Sequence, residues 1–109
     1  MEVAEYQIAA RRTRNPRVVG PNALLEASMG LSDESGEVAG LVKKWYFHEH
    51  ELDQEALAYE IGDVLWYCVE AADWLGYGLN EIMDMNIEKL DERYENGFST
   101  EDSINRRGP

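Results

Sequence analysis

The chain has 109 residues, the size of one ordinary domain, and 44% of them are hydrophobic, so a core is possible. Its 22 acids outweigh 10 bases, for a formal net charge of −12. That balance excludes a general nucleic-acid binder, which neutralises phosphates with Lys and Arg, and a protein held on an anionic membrane.

The first expected helix runs from Val3 to Arg12 and ends in the basic stretch Arg11-Arg12-Thr13-Arg14-Asn15-Pro16-Arg17. These arginines read as cations at a helix C-terminus, favoured by its dipole, ahead of a grip on phosphate. The second helix is expected from an Asn22 N-cap behind Pro21 to Phe47. A polar loop follows, with His48 and His50 exposed in it. Asp53 caps the third helix, which runs to Leu75 and stops at Gly76. Asn80 caps the fourth, to Tyr94, and a polar, loosely held tail starts at Ser99. Nothing reads as a strand. Short loops between long helices predict an all-α fold, an antiparallel four-helix bundle in residues 1–98.

The lone Cys68 allows no intrachain disulfide and sits in the apolar run Val64–Val69, as a small core residue. No signal peptide and no stretch near the ~20 apolar residues of a membrane span are present, so the expected setting is the cytoplasm. Tyr59 and Trp66 fall on the back of the third helix, away from Glu60. A helix apolar nearly all round predicts a homo-oligomer.

On helical wheels, charges interrupt the apolar stripes. Glu34 lies among Leu31, Val38, Leu41 and Trp45, with Glu37 on the flank. Glu60 lies among Leu57, Val64, Tyr67 and Ala71, with Asp63 on the flank. On the fourth helix Asn86 and Arg93 sit within the stripe Leu79, Ile82, Met83 and Leu90, with Lys89 beside them. A carboxylate in an apolar setting must be paired, protonated or bound to metal. An i,i+3 pair spans ~4.5 Å along a helix, so both members of ExxE (Glu34, Glu37) or ExxD (Glu60, Asp63) can reach one ion. In an antiparallel hairpin the pairs lie ~15–20 Å and ~10–15 Å from the loop, within one turn of each other. Oxygen-only ligands suit Mg²⁺ or Mn²⁺ better than zinc. The small residues Ser35, Gly36 and Gly62 between the acids suggest that a backbone or ligand approaches there. The plainer alternative is solvated acids paired with Lys43, Lys44 or Lys89. A di-iron site is disfavoured, because no Glu-x-x-His occurs.

Metal ions plus the donors Asn86, Lys89 and Arg93 suggest a polyphosphate ligand, held without a P-loop or GxGxxG. At this point Asp33-Glu34-Ser35-Gly36-Glu37-Val38, Glu60-Ile61-Gly62-Asp63-Val64-Leu65-Trp66-Tyr67 and Asn86-Ile87-Glu88-Lys89-Leu90-Asp91-Glu92-Arg93-Tyr94 resemble the MazG-like nucleotide pyrophosphohydrolases, of the all-α NTP pyrophosphatase group that includes the all-α dUTPases. The resemblance covers Tyr6 to Phe98. It implies a dimer or dimer of dimers and Mg²⁺-dependent hydrolysis of a (d)NTP to monophosphate and pyrophosphate, in nucleotide-pool house-cleaning. It makes Glu34, Glu37, Glu60 and Asp63 the metal ligands, and Asn86, Lys89 and Arg93 the substrate contacts. Glu37, with Glu34 beside it, is the expected carboxylate that orients the attacking water. The competing reading is a non-catalytic, metal-stabilised bundle that binds nucleotide or protein.

Overall fold

The computed structural model describes residues 1–106 and 108–109. Its elements are α1 (Val3–Ala10), a 3₁₀ turn (Arg11–Thr13), α2 (Pro21–Phe47), α3 (Gln54–Leu75), α4 (Leu79–Arg93) and α5 (Thr100–Asn105). Among the described residues there is no strand, only an isolated bridge between Glu95 and Gly97.

Helix ends follow local capping chemistry. The Asp53 carboxylate accepts from Ala56 N–H (2.9 Å), so α3 starts where the Asp-x-x pattern places it. Gly76 at φ 80° ends α3 in a left-handed turn, and Tyr77 N–H closes back on Ala72 O at 3.0 Å. Two expected caps are displaced. The N-cap of α2 is Gly20, with Pro21 at the first helical position and Asn22 already inside. The N-cap of α4 is Gly78, because Glu81 reaches back to accept the Gly78 N–H at 2.8 Å, so Asn80 lies within the helix. The first helix ends at Ala10, tightening into the 3₁₀ turn, and α4 ends at Arg93. The expected loose tail contains a helix: the Ser99 hydroxyl accepts from Asp102 N–H (3.0 Å) and starts α5.

Helices α2 and α3 pair along their length as an antiparallel hairpin. A single chain does not close the expected four-helix bundle. Helices α1 and α4 pack across the α3 end of the hairpin, and α4 then runs outward with no extended seam along α2 or α3. The core sits at that junction, where Ala10, Val69 and Leu79 are buried under Val3, Tyr6 and Trp66. The Trp66 indole N–H reaches Ala10 O (3.1 Å) and Thr13 Oγ1 (2.9 Å), so the chain's own first helix covers it. Tyr59 stays 70% exposed. Trp74 N–H donates to Gly20 O at 2.9 Å, tying the α2 start to the same junction.

The close approach expected at Gly36 and Gly62 is not made by this chain itself. A Cβ on either would meet nothing of this chain within 4 Å. At Gly30 a Cβ would lie 2.1 Å from the Tyr67 ring, so glycine is what lets Tyr67 lie against α2. The accessible surface is 8323 Å². A compact chain of 12.5 kDa exposes about 6,200 Å². The radius of gyration is 16.9 Å, against about 13 Å for a compact domain of this length.

Candidate functional site

The hairpin register brings acids from both long helices together. Glu34 on α2 and Glu60 and Asp63 on α3 each offer a carboxylate oxygen, and these oxygens all lie within 4.8 Å of one another. Glu34 and Glu60 are half-buried and Asp63 is exposed. Partial desolvation, a hydrogen bond to Glu60 and the charges of Asp63, Glu60 and Asp33 push Glu34 above the usual carboxylate range. Like charges so close favour either a shared proton or a cation. The donor set is all oxygen, drawn from two rigid helices and open on one side. It suits a hard divalent cation that keeps waters, as Mg²⁺ does.

Glu37, one turn beyond Glu34, is exposed, and its carboxylate lies outside this cluster of three. Asn86, Lys89 and Arg93 share a face of α4, as expected from their spacing. Asn86 and Lys89 line a groove of about 460 Å³ with Ile82, Met85, Glu88, Glu92 and Pro109, and Arg93 Nη2 donates to Pro109 O at 3.2 Å. Beside the acids lies a different groove, of about 670 Å³, lined by Asn22, Leu25, Met29, Asp33 and Tyr67 among others. No α4 residue lines it. Within one chain the groove beside the acids and the α4 groove are therefore separate.

Tyr67 carries a signal that sequence reasoning used only as packing. It stands one helical turn past Asp63, over Gly30, and desolvation together with Glu34, Glu26, Asp33 and Asp63 raises its phenol above the usual value. It remains a neutral hydrogen-bond donor in the groove wall. Cys68 is half-buried and burial raises its thiol, so no thiolate is prepared there. His48 and His50 are exposed in the loop.

Two of the four arginines in the basic stretch, Arg11 and Arg14, are held by acids of α3. Arg11 grips Asp73 through Nε (2.8 Å) and Nη2 (2.7 Å). Arg14 grips Glu70 through Nε (2.7 Å) and Nη2 (3.0 Å), and also reaches Asp73. Arg11 foremost, with Gln7 and Arg14, lowers the Asp73 carboxyl to about 2. The Asp73 and Glu70 partners were not legible in the sequence. The pairs lie 62 and 56 residues apart, and no local pattern marks them.

Comparison with known proteins decides the family. The sequence family described as the MazG nucleotide pyrophosphohydrolase domain matches residues 24–98. That range holds both acid pairs and the α4 trio. The chain belongs to the MazG nucleotide pyrophosphohydrolase family. Over 114 aligned residues it is also 32% identical to the "Gene 37 protein" of Mycobacterium phage L5, covering 97% of this chain and all of the phage protein. No solved structure matches. The MazG match begins at the fourth residue of α2 and ends before α5, so α1 and the arginine turn lie outside it. Among the described residues no helix is long and apolar enough to cross a membrane.

Proposed function

We propose that this MazG-family chain hydrolyses nucleoside triphosphates to monophosphates and pyrophosphate, with Mg²⁺ or Mn²⁺, as part of nucleotide-pool house-cleaning in the cytoplasm. The observation that carries the reading is the three-carboxylate cluster of Glu34, Glu60 and Asp63, within a MazG match. Glu34, Glu60 and Asp63 would hold the metal, and Glu37 would complete the set. A bound divalent ion offsets phosphate charge and lowers the pKa of a coordinated water. Glu37, which lies outside the cluster of three, accepts the proton of the attacking water and orients it. The nucleoside lies in the groove beside the acids, whose size falls in the range of small-molecule sites. Tyr67 and Asn22 supply polar contacts there, with Leu25 and Met29 as apolar wall.

Asn86, Lys89 and Arg93 bind the phosphates. Because α4 leaves the hairpin of its own chain, the trio meets an acid cluster on assembly, when α4 of a second copy lies over the groove. Surface supports this arrangement. The chain exposes about 2,000 Å² more than a compact one of its mass, and obligate dimers bury 2,000 Å² or more in total. Tyr59, Ile61 and Leu65 on α3 and the edge-to-face Tyr46–Phe47 pair (4.9 Å) on α2 are exposed apolar surface for that contact.

The test is pyrophosphate release from a panel of NTPs and dNTPs with and without Mg²⁺. Metal-dependent release is expected for at least one member. Release should fall at least ~100-fold in Asp63→Asn, with far-UV helical signal intact. Full activity in Asp63→Asn rejects the metal site. Absence of release across the panel rejects hydrolysis in favour of a binding module.

A further inference from the structure

Among the described residues Gln7 is the one buried polar side chain, 5% exposed, and it lies outside the MazG match. Its amide is used on both sides. Nε2 donates to Asp73 Oδ1 (2.6 Å) and to Tyr77 O (3.2 Å), and Oε1 accepts from Leu79 N–H (2.7 Å). Only one orientation of the amide satisfies two acceptors and a donor, so the side chain is fixed. Leu79 N–H is the first N–H of α4 and has no partner inside its helix. Asp73 is itself held by the Arg11 and Arg14 guanidinium groups. A continuous chain of polar contacts therefore runs from α1 through α3 to the base of α4. Beyond that base, α4 has no long seam with the rest of the chain that would set its direction.

We propose that Gln7 is a positioning residue that aims α4, and with it the phosphate-binding trio. This rests on the reading of Asn86, Lys89 and Arg93 as substrate contacts. The leverage is large. Arg93 lies ~21 Å along the axis from Leu79, so a ~10° swing at the base moves it by ~4 Å. Misplacements of about 1 Å at a reacting centre already cost of order 100-fold. The acid cluster lies on the α2–α3 hairpin, outside this lever.

The experiment compares the full-length wild type with Gln7→Met, which keeps the volume and removes all three hydrogen bonds. In Gln7→Met, kcat/KM for the triphosphate falls at least tenfold, mostly through KM. Affinity for Mn²⁺ alone stays within about twofold, because the acids have not moved. Spin labels on cysteines at Glu55 and Ile87, in a Cys68→Ser background diluted with unlabelled protein, give a narrow α3–α4 distance in the wild type and a broad one in Gln7→Met. Gln7→Glu, which sets a second carboxylate against Asp73 and the Tyr77 carbonyl, also gives a broad distance. An unchanged label distance in Gln7→Met, or a loss of Mn²⁺ affinity equal to the loss in kcat/KM, overturns the proposal. If the wild type shows no hydrolysis at all, the functional reading fails and the label distances still decide whether Gln7 aims α4.

Discussion

Glu34 shows how the acid cluster ties metal binding to pH. Its carboxyl is held above the usual range by desolvation, by Glu60 and by the neighbouring charges. Without a cation Glu34 keeps its proton to a higher pH than an ordinary glutamate, so a divalent ion competes with that proton. Apparent Mn²⁺ affinity should then rise with pH and level off once Glu34 is ionised. Calorimetry in buffers of different ionisation enthalpy should show proton release on binding, falling as pH rises. Glu34→Gln should abolish both the release and most of the affinity. These acids were legible because an i,i+3 pair of charges inside an apolar stripe has few inexpensive explanations, and hairpin arithmetic placed the pairs opposite each other. Glu37 was less legible. Its flank position fits a ligand as well as a solvated side chain, and the geometry of one chain leaves it exposed. Tyr67 was read as packing, since its contact with Gly30 joins two helices and has no signature along either.

At the scale of the elements, the join between α1 and α3 is electrostatic and should respond to acid. Asp73 titrates at about 2 when folded, below its ordinary 3.8. Its contribution is therefore complete above pH ~4 and is lost as pH falls toward 2, since the unfolded carboxyl takes its proton first. Discounted for its exposed arginine partners, the contribution is ~1–2 kcal/mol. Asp73→Asn should lower stability by that amount at pH 7 in urea titrations and leave little difference near pH 2. The glycines of α2 should divide. Gly30→Ala forces the Tyr67 ring away and should cost ~1–3 kcal/mol. Gly36→Ala meets open space within the chain and should be neutral or gain ~0.5–1 kcal/mol. A large penalty at Gly36 would mean that another copy packs there. Asp53 and Gly76 were legible as caps because each acts within a few residues of itself. Asn22 and Asn80 were misplaced because a neighbour, Pro21 or Glu81, shifted each helix start by two residues. The direction of α4 could not be read at all, since Gln7 sets its base from 72 residues away.

At the scale of the molecule, the separation of the acids from the α4 trio gives a mixing experiment. Asp63→Asn and Lys89→Ala should each be inactive alone. If α4 works on a second copy, co-refolding them in equal amounts should recover about a quarter of wild-type activity, since half the dimers are mixed and each holds one intact site. Recovery near zero, with both variants dimeric by light scattering, would return the site to a single chain. All-α character and a carboxylate site were legible from pattern alone. The open shape was not, because the stripes of α2 and α3 look the same whether they face their own chain or another. The small interior has a further consequence. Among the described residues the largest side chain that is fully buried is a single valine, Val69, and the other buried apolar residues are three alanines and Leu79. So little interior leaves a lone chain marginal. Its melting temperature should therefore climb with protein concentration, as mass action requires when folding and association are one event. In a cell, the level of expression would then set how much of this protein is folded.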